Sequence, residues 1–280
     1  VSNARPSVAD KRRRFRELHQ SGCFVIPNPW NVGSALYLQS LGFKALASTS
    51  SGLAHAEGFP DGAVPVDRML AHLRELVAAT DVPVNADFEG GHADDPQAVA
   101  DNVARCVETG VAGLSIEDST SDPKIPLYDF ELALARVKAA RAAIDRTGGD
   151  VLFCARTEGF IRGRPDLEET LRRLRAFADA GADCLYAPGI KTREQITAVV
   201  QAVAPKPVNL LNSAPGFTVD EIAALGVRRI SVGGGLARVA MTAFAKAARG
   251  LAEQGSFAGF EGLMSNAELN AFFAGRASPG

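Results

Sequence analysis

Eight times in this chain a short apolar run rich in β-branched residues is followed by a longer amphipathic run rich in Ala, Leu and Arg. The short runs fall at 23–28, 45–49, 82–87, 113–118, 150–157, 183–187, 207–212 and 228–233. The long ones fall at 31–41, 65–79, 95–109, 128–146, 166–180, 192–203, 218–225 and 236–253. Continuous apolar strands are buried on both faces, as parallel strands flanked by helices must be. Local signals agree with this division. Asp94, Asp166 and Thr218 stand where helix N-caps belong, and the glycines of LGFKA, TGVAG, AGADC and LGVRR end helices ahead of the next strand. Eight rounds without a break in composition predict an α/β fold, a (β/α)8 TIM barrel over 1–255 that includes an N-terminal helix. An open doubly wound sheet would call for fewer strands and a Gly-rich first turn, and here that turn reads NPWNVG. Residues 256–280 contain FEGLMSNAELNAFF and are predicted as a C-terminal helical tail, lying on its own barrel or docked on a neighbouring subunit.

Charge and cysteine usage narrow the function. Thirty Lys and Arg face 32 Asp and Glu, and the one basic cluster, Lys11–Arg14, reads as a solvated helix face. Neither nucleic acid nor a membrane surface is therefore an expected partner. No apolar stretch approaches the length of about 18 residues that a membrane span needs, and the opening VSNARPSVADKRRRF lacks the apolar core of a secretion signal. None of the four cysteines forms a CxxC pair; Cys23, Cys154 and Cys184 sit in strand-like runs, where cysteine packs as a small apolar residue. The expectation is no disulfide and a cytoplasmic location.

In a barrel of this type chemistry gathers where strands end and the following loops begin. Those positions hold Asn28, Ser48–Gly52, Asp87 and Glu89, Glu117 and Asp118, Arg156 to Glu158, Tyr186 and Pro188, Asn212 and Ser213, and Gly233–Gly235. Acids thus converge from strands three and four, with an arginine from strand five, and Asp61 in the strand-two loop can join them. Carboxylates crowded at one rim call for a cation. Hard oxygen donors without a neighbouring His or Cys pair favour Mg²⁺, or Mn²⁺, over zinc. Arg156 offers a planar fork to a substrate carboxylate.

The segments SGLAHAEGFPDG (51–62), VNADFEGG (84–91), GLSIEDS (113–119) and ARTEGF (155–160) resemble, in order and spacing, the signature stretches of the isocitrate lyase/phosphoenolpyruvate mutase superfamily. The likeness runs from Pro27 to Gly235. It implies that the backbone amides of Ser51, Gly52 and Leu53 hold a substrate carboxylate, that Asp87 is the main Mg²⁺ ligand, and that Asp61, Asn85 and Glu117 surround the metal. It further implies that Arg156 binds a substrate carboxylate, that Asn212 faces the substrate, and that Arg156, Glu117 and Asp61 serve catalysis. A homo-oligomer, tetramer or dimer, with exchanged C-terminal helices would suit the tail.

Three positions depart from the family pattern. Asn85-Ala86-Asp87 replaces Asp-x-Asp, with Glu89 nearby to compensate. STSDPKIPLYD (119–129) replaces the lyase loop and has neither its Cys nor its His, leaving Lys124 as the one matching cation. Pro188 stands where the lyases place a glutamate. Aldol-type cleavage needs a protein acid to protonate the departing enolate carbon, whereas carbon dioxide leaves unaided and water can protonate the enolate. The resemblance therefore points to a Mg²⁺-dependent carbon–carbon lyase for a 2-oxo or 2-hydroxy di- or tricarboxylic acid, of oxaloacetate decarboxylase type. A phosphonate mutase or hydrolase of the same superfamily is the alternative. A non-catalytic dicarboxylate-binding member is another.

Other residues carry weaker signals. His55 and His92 are loop histidines, proton donors or plain surface groups. His19 and His72 fall on predicted helices and read as solvent-facing. Trp30 and Tyr37 read as packing, and Cys154 as core. Gly233-Gly234-Gly235 ahead of a helix can cradle a phosphate, which would make the chain a phosphate-binding barrel enzyme instead.

Overall fold

The structure, a computed structural model, describes residues 5–148 and 150–275; residues 1–4, 149 and 276–280, which include both ends of the segments read above, lie outside the described residues. In chain order the elements are α1 (Val8–Leu18), β1 (Phe24–Ile26), α2 (Val32–Ser40), β2 (Leu46–Ala47), α3 (Ser50–Ala56), α4 (Val66–Ala79), β3 (Val84–Asp87), α5 (Pro96–Glu108) and β4 (Gly113–Glu117). They continue with α6 (Phe130–Arg146), β5 (Leu152–Arg156), α7 (Leu167–Asp179), β6 (Cys184–Tyr186), α8 (Arg193–Val203), β7 (Val208–Leu211), α9 (Val219–Ala224), β8 (Arg229–Ser231), α10 (Gly235–Gln254) and α11 (Asn266–Ala274). The eight strands are parallel in the order β1-β8-β7-β6-β5-β4-β3-β2. The Ala47 amide donates to the Pro27 carbonyl at 3.1 Å and nearly closes the ring. The α/β barrel expected from the alternation is the observed fold.

The chain divides into two compact units, Val1–Leu236 and Ala237–Gly280. The first holds all eight strands. Its main core lies between sheet and helices, where Leu70, Val103, Phe153 and Phe177 are fully buried. Each such side chain contributes about 1.5–3 kcal/mol. A smaller cluster fills the barrel interior with Phe15, Ile26, Ala112, Cys154, Cys184 and Tyr186. Gly113 makes room for Phe15 there, since a Cβ on it would stand 2.5 Å from the Phe15 ring. The second unit carries most of α10 and all of α11, neither of which has a buried residue.

Helix α1 corrects several expectations. Lys11 is buried and donates to the carbonyls of Val77 and Thr80, while Arg12 donates to those of Val107 and Val111. The basic cluster is therefore fastened in part to backbone carbonyls of the barrel helices, not simply solvated. His19 and His72 are buried as well, at 8% and 1% exposure. Tyr37 is 41% exposed and so is only partly packed. Asp166 and Thr218 cap their helices, but α5 is capped by Asp95, and Asp94 instead accepts from the Tyr128 hydroxyl. Helix α3 lies in a stretch read as loop; Thr49 caps it by accepting from the Gly52 amide. All four cysteines are free thiols, and no helix among the described residues is long and apolar enough to cross a membrane.

Candidate active site

Strand register decides which side chains meet. Asp87 pairs with Ser115, Glu117 with Arg156, and Arg156 with Tyr186 across neighbouring strands. Side chains alternate along a strand, so Asp87, Glu117 and Arg156 end three adjacent strands on one rim. Arg156 is the hub. Its Nη1 meets Asp87 Oδ1 at 2.7 Å, its Nη2 meets Glu117 Oε2 at 3.1 Å, and its Nε and Nη2 meet Glu158 Oε1 at 3.0 and 2.8 Å. The guanidinium also lies 5.0 Å from the Tyr186 ring centroid.

The supporting contacts are equally specific. Ser50, the first residue of α3, donates from both its amide and its hydroxyl to Asp87 Oδ2 at 3.0 Å. The same hydroxyl reaches toward Asp61 Oδ1 at 3.5 Å. Ser119 donates to Glu117 Oε1 at 2.6 Å. Asp118 stays beneath the rim; it accepts from the Thr157 hydroxyl, the Glu158 amide and Arg173, and so fixes the turn that presents Glu158.

Glu89 and His92 lie on the loop between β3 and α5 with left-handed φ of 48° and 54°. Such non-glycine residues cost roughly 1 kcal/mol or more each and cluster at functional sites. Arg136 pins this loop by donating to the carbonyls of Gly90, Ala93 and Asp94. Glu89 Oε1 and His92 Nε2 are buried without a hydrogen-bond partner.

The local field is that of crowded carboxylates. Burial, then Asp87 and Glu117, raises the Glu89 carboxyl to about 8. Desolvation and the same two neighbours raise Asp61. Burial also raises Glu158, against the opposing pull of Arg156. Above this rim opens a cavity of about 990 Å³, with Asp61, Glu89, His92, Glu117, Arg156 and Arg162 in its wall.

Among the described residues no group of three His, Cys, Asp or Glu side chains stands close enough to chelate an ion directly. The donors nevertheless fit a hydrated hard cation. They are all oxygens, Asp87 and Glu117 raise the pKa of Asp61 and Glu89, and Glu89 Oε1 is unpartnered. Mg²⁺ keeps several waters and needs only one or two carboxylates in direct contact.

The other predicted residues are placed differently. Asn85 is buried below the rim, with its amide donating to the Ala86 carbonyl and its oxygen 3.5 Å from Arg229, so it is not turned to the acids. The Gly52 and Leu53 amides are spent on Thr49 as the first turn of α3 forms, and the amide that meets Asp87 is that of Ser50. Asn212 follows β7 and donates to the Phe217 carbonyl, holding its own loop. Gly233 gives its amide to Asn28 and Gly235 to the Val232 carbonyl, which leaves little for a phosphate cradle. His55 is exposed on α3. Arg162 was not singled out from the sequence, and Glu158 was named there only as a strand-end residue, without a role.

The chain matches the phosphoenolpyruvate phosphomutase family over residues 15–252. It is 31% identical to the oxaloacetate decarboxylase of Paraburkholderia xenovorans over 229 residues, 79% of this chain and 74% of that one. A solved structure from Burkholderia cenocepacia J2315, provisionally described as a lyase/mutase, superposes with a TM-score of 0.93 at 42% identity, covering 97% of this chain and 98% of that one. A phosphonopyruvate hydrolase solved with oxalate and Mg²⁺ superposes at 0.83 and 25% identity, covering 95% of each chain.

Proposed function

The chain belongs to the phosphoenolpyruvate mutase/isocitrate lyase superfamily and is an enzyme of its carbon–carbon lyase kind, and from that premise we propose a Mg²⁺-dependent lyase that releases carbon dioxide from oxaloacetate or a close 2-oxo dicarboxylate. The observation that carries this reading is the convergence of Asp87, Glu117 and Arg156 from three adjacent strand ends, with Glu117 and Arg156 in the wall of one cavity.

Asp87 and Glu117 are the residues to hold the cation, with Asp61 and Glu89 reaching it through water. When bound, Mg²⁺ supplies positive charge beside the keto oxygen, where negative charge gathers as the carbon–carbon bond breaks. Arg156 orients the substrate carboxylate. Glu158 holds its Nε and Nη2 edge and stops the guanidinium plane from turning, while Nη1 and Nη2 already face carboxylate oxygens. A substrate carboxylate can take the place of one of these partners on the guanidinium. Among the described residues the cavity wall carries no cysteine; Cys106, Cys154 and Cys184 are fully buried. Loss of carbon dioxide asks for no thiol acid, since water can protonate the product carbon.

Pyruvate release from oxaloacetate, assayed with Mg²⁺ and with EDTA, tests the reading. Release should depend on the metal, Asp87→Ala should abolish the dependent part, and Arg156→Ala should chiefly raise KM. Metal-independent release, or full activity in both variants, would overturn it. Likeness to a phosphonopyruvate hydrolase supports phosphonate cleavage as the second reading, and phosphate released from phosphonopyruvate would favour it. We also infer that the chain self-associates through its second unit, where Val239, Phe244, Leu251, Phe257 and Leu263 are exposed.

A further inference from the structure

We propose that Arg162, on the loop between β5 and α7, is a specificity-determining residue that engages the far anionic group of the substrate; this rests on the reading of the site given above.

The two arginines of the cavity wall differ in what they have left to give. Arg156 is 13% exposed at its side chain, and all three of its nitrogens already meet carboxylates. Arg162 is 43% exposed. Its one short contact is from Nη2 to the neutral hydroxyl of Ser119, at 3.1 Å. Its carboxylate contacts are long, 3.5 Å to Glu117 Oε1 and 4.0 Å to Glu158 Oε2. A guanidinium carries five N–H donors in a rigid fork, so most of this fork is open to the cavity.

Glu117 ties the two cations together. Its Oε2 faces Arg156 and its Oε1 faces Arg162. The positive groups therefore flank a single carboxylate, one at the strand ends and one farther out on a loop. An anion with one negative end is met by the inner group. A longer anion, with a second negative group set apart from the one held at the inner site, meets both. The wall also carries Asp61, Glu89, Asp94, Asp122 and Glu158, which repel a second negative group unless a cation receives it. A carboxylate and a phosphonate share this chemistry, and both accept two parallel N–H bonds from an arginine.

The test is competition against oxalate, read by calorimetry on the full chain in Mg²⁺, for wild type, Arg162→Gln and Arg162→Lys. Oxalate, whose two carboxylates share one carbon–carbon bond, is the reference ligand, expected to occupy the inner site at the cation and Arg156. Pyruvate, 2-oxoglutarate and 2-oxo-4-phosphonobutanoate are the competitors, none of which carries the bond that the site is read to break. In the wild type the two dianions should displace oxalate at least about tenfold better than pyruvate. Arg162→Gln should remove that preference and leave oxalate and pyruvate affinities as they were, while Arg162→Lys should keep most of it. The dianion that loses more in Arg162→Gln identifies the far group. Dianion affinity unchanged in Arg162→Gln, with oxalate still bound, overturns the inference and leaves the reading of the site intact. Absence of oxalate binding in the wild type overturns that reading and the inference with it.

Discussion

His19 and His72 show what burial does to a titratable group outside the site. The His19 ring is held at both nitrogens; its Nδ1 faces the Phe15 carbonyl at 2.7 Å and its Nε2 faces Arg229 at 3.3 Å. Burial and the Arg229 charge lower its pKa to about 3, and burial followed by Arg68 lowers that of His72 to about 4. Both stay neutral in the fold, while the unfolded chain protonates them as pH falls below the usual histidine value of about 6.5. Their stabilising effect is thus complete above that pH and is lost progressively as pH falls toward the folded values. By pH 5 each costs up to about 2 kcal/mol, at about 1.4 kcal/mol per unit. Urea unfolding at pH 7 and pH 5 should show a smaller drop for His19→Asn than for the parent; an equal drop would contradict this. The burial of His19 was not readable from sequence, because it depends on α1 meeting residues far along the chain. Arg229, which faces His19, is 210 positions away.

At the scale of elements, the apolar runs located every strand, since a parallel strand covered on both faces leaves a continuous signature. Helix α3 was hidden because seven residues are too few for a periodic pattern, and its cap, Thr49, looks like any loop residue. Asp87, Glu117 and Arg156 were legible as strand-end polar residues. Arg162 was not, because its loop has no periodicity and its partner Ser119 lies 43 residues away. The same holds for Arg136, which is 1% exposed and fastens the loop of Glu89 and His92 from α6. Removing it strands three carbonyls. Arg136→Ala should cost about 2–4 kcal/mol and, where the protein still folds, weaken Mg²⁺-dependent oxalate binding more than does Arg172→Ala, a change on the exposed face of α7. Calorimetry and thermal unfolding check both parts, and unaltered oxalate affinity would count against a role for this loop.

For the molecule as a whole, two features remain to be joined: a barrel with an acid-lined cavity, and a second unit whose apolar side chains lie open. Phe244 and Leu263 are each 67% exposed. Sedimentation equilibrium should therefore find a dimer or tetramer, with Phe244→Glu shifting it toward monomer; a wild-type monomer at tens of micromolar would refute the self-association. The barrel's chemistry has a sharper test. Oxalate should be titrated into wild type and Asp87→Ala, each with Mg²⁺ and with EDTA, and the heat recorded. Tight binding confined to the wild type in Mg²⁺ is the predicted result. Oxalate affinity that is the same with and without the metal, or that survives the loss of Asp87, would contradict a divalent cation at this rim.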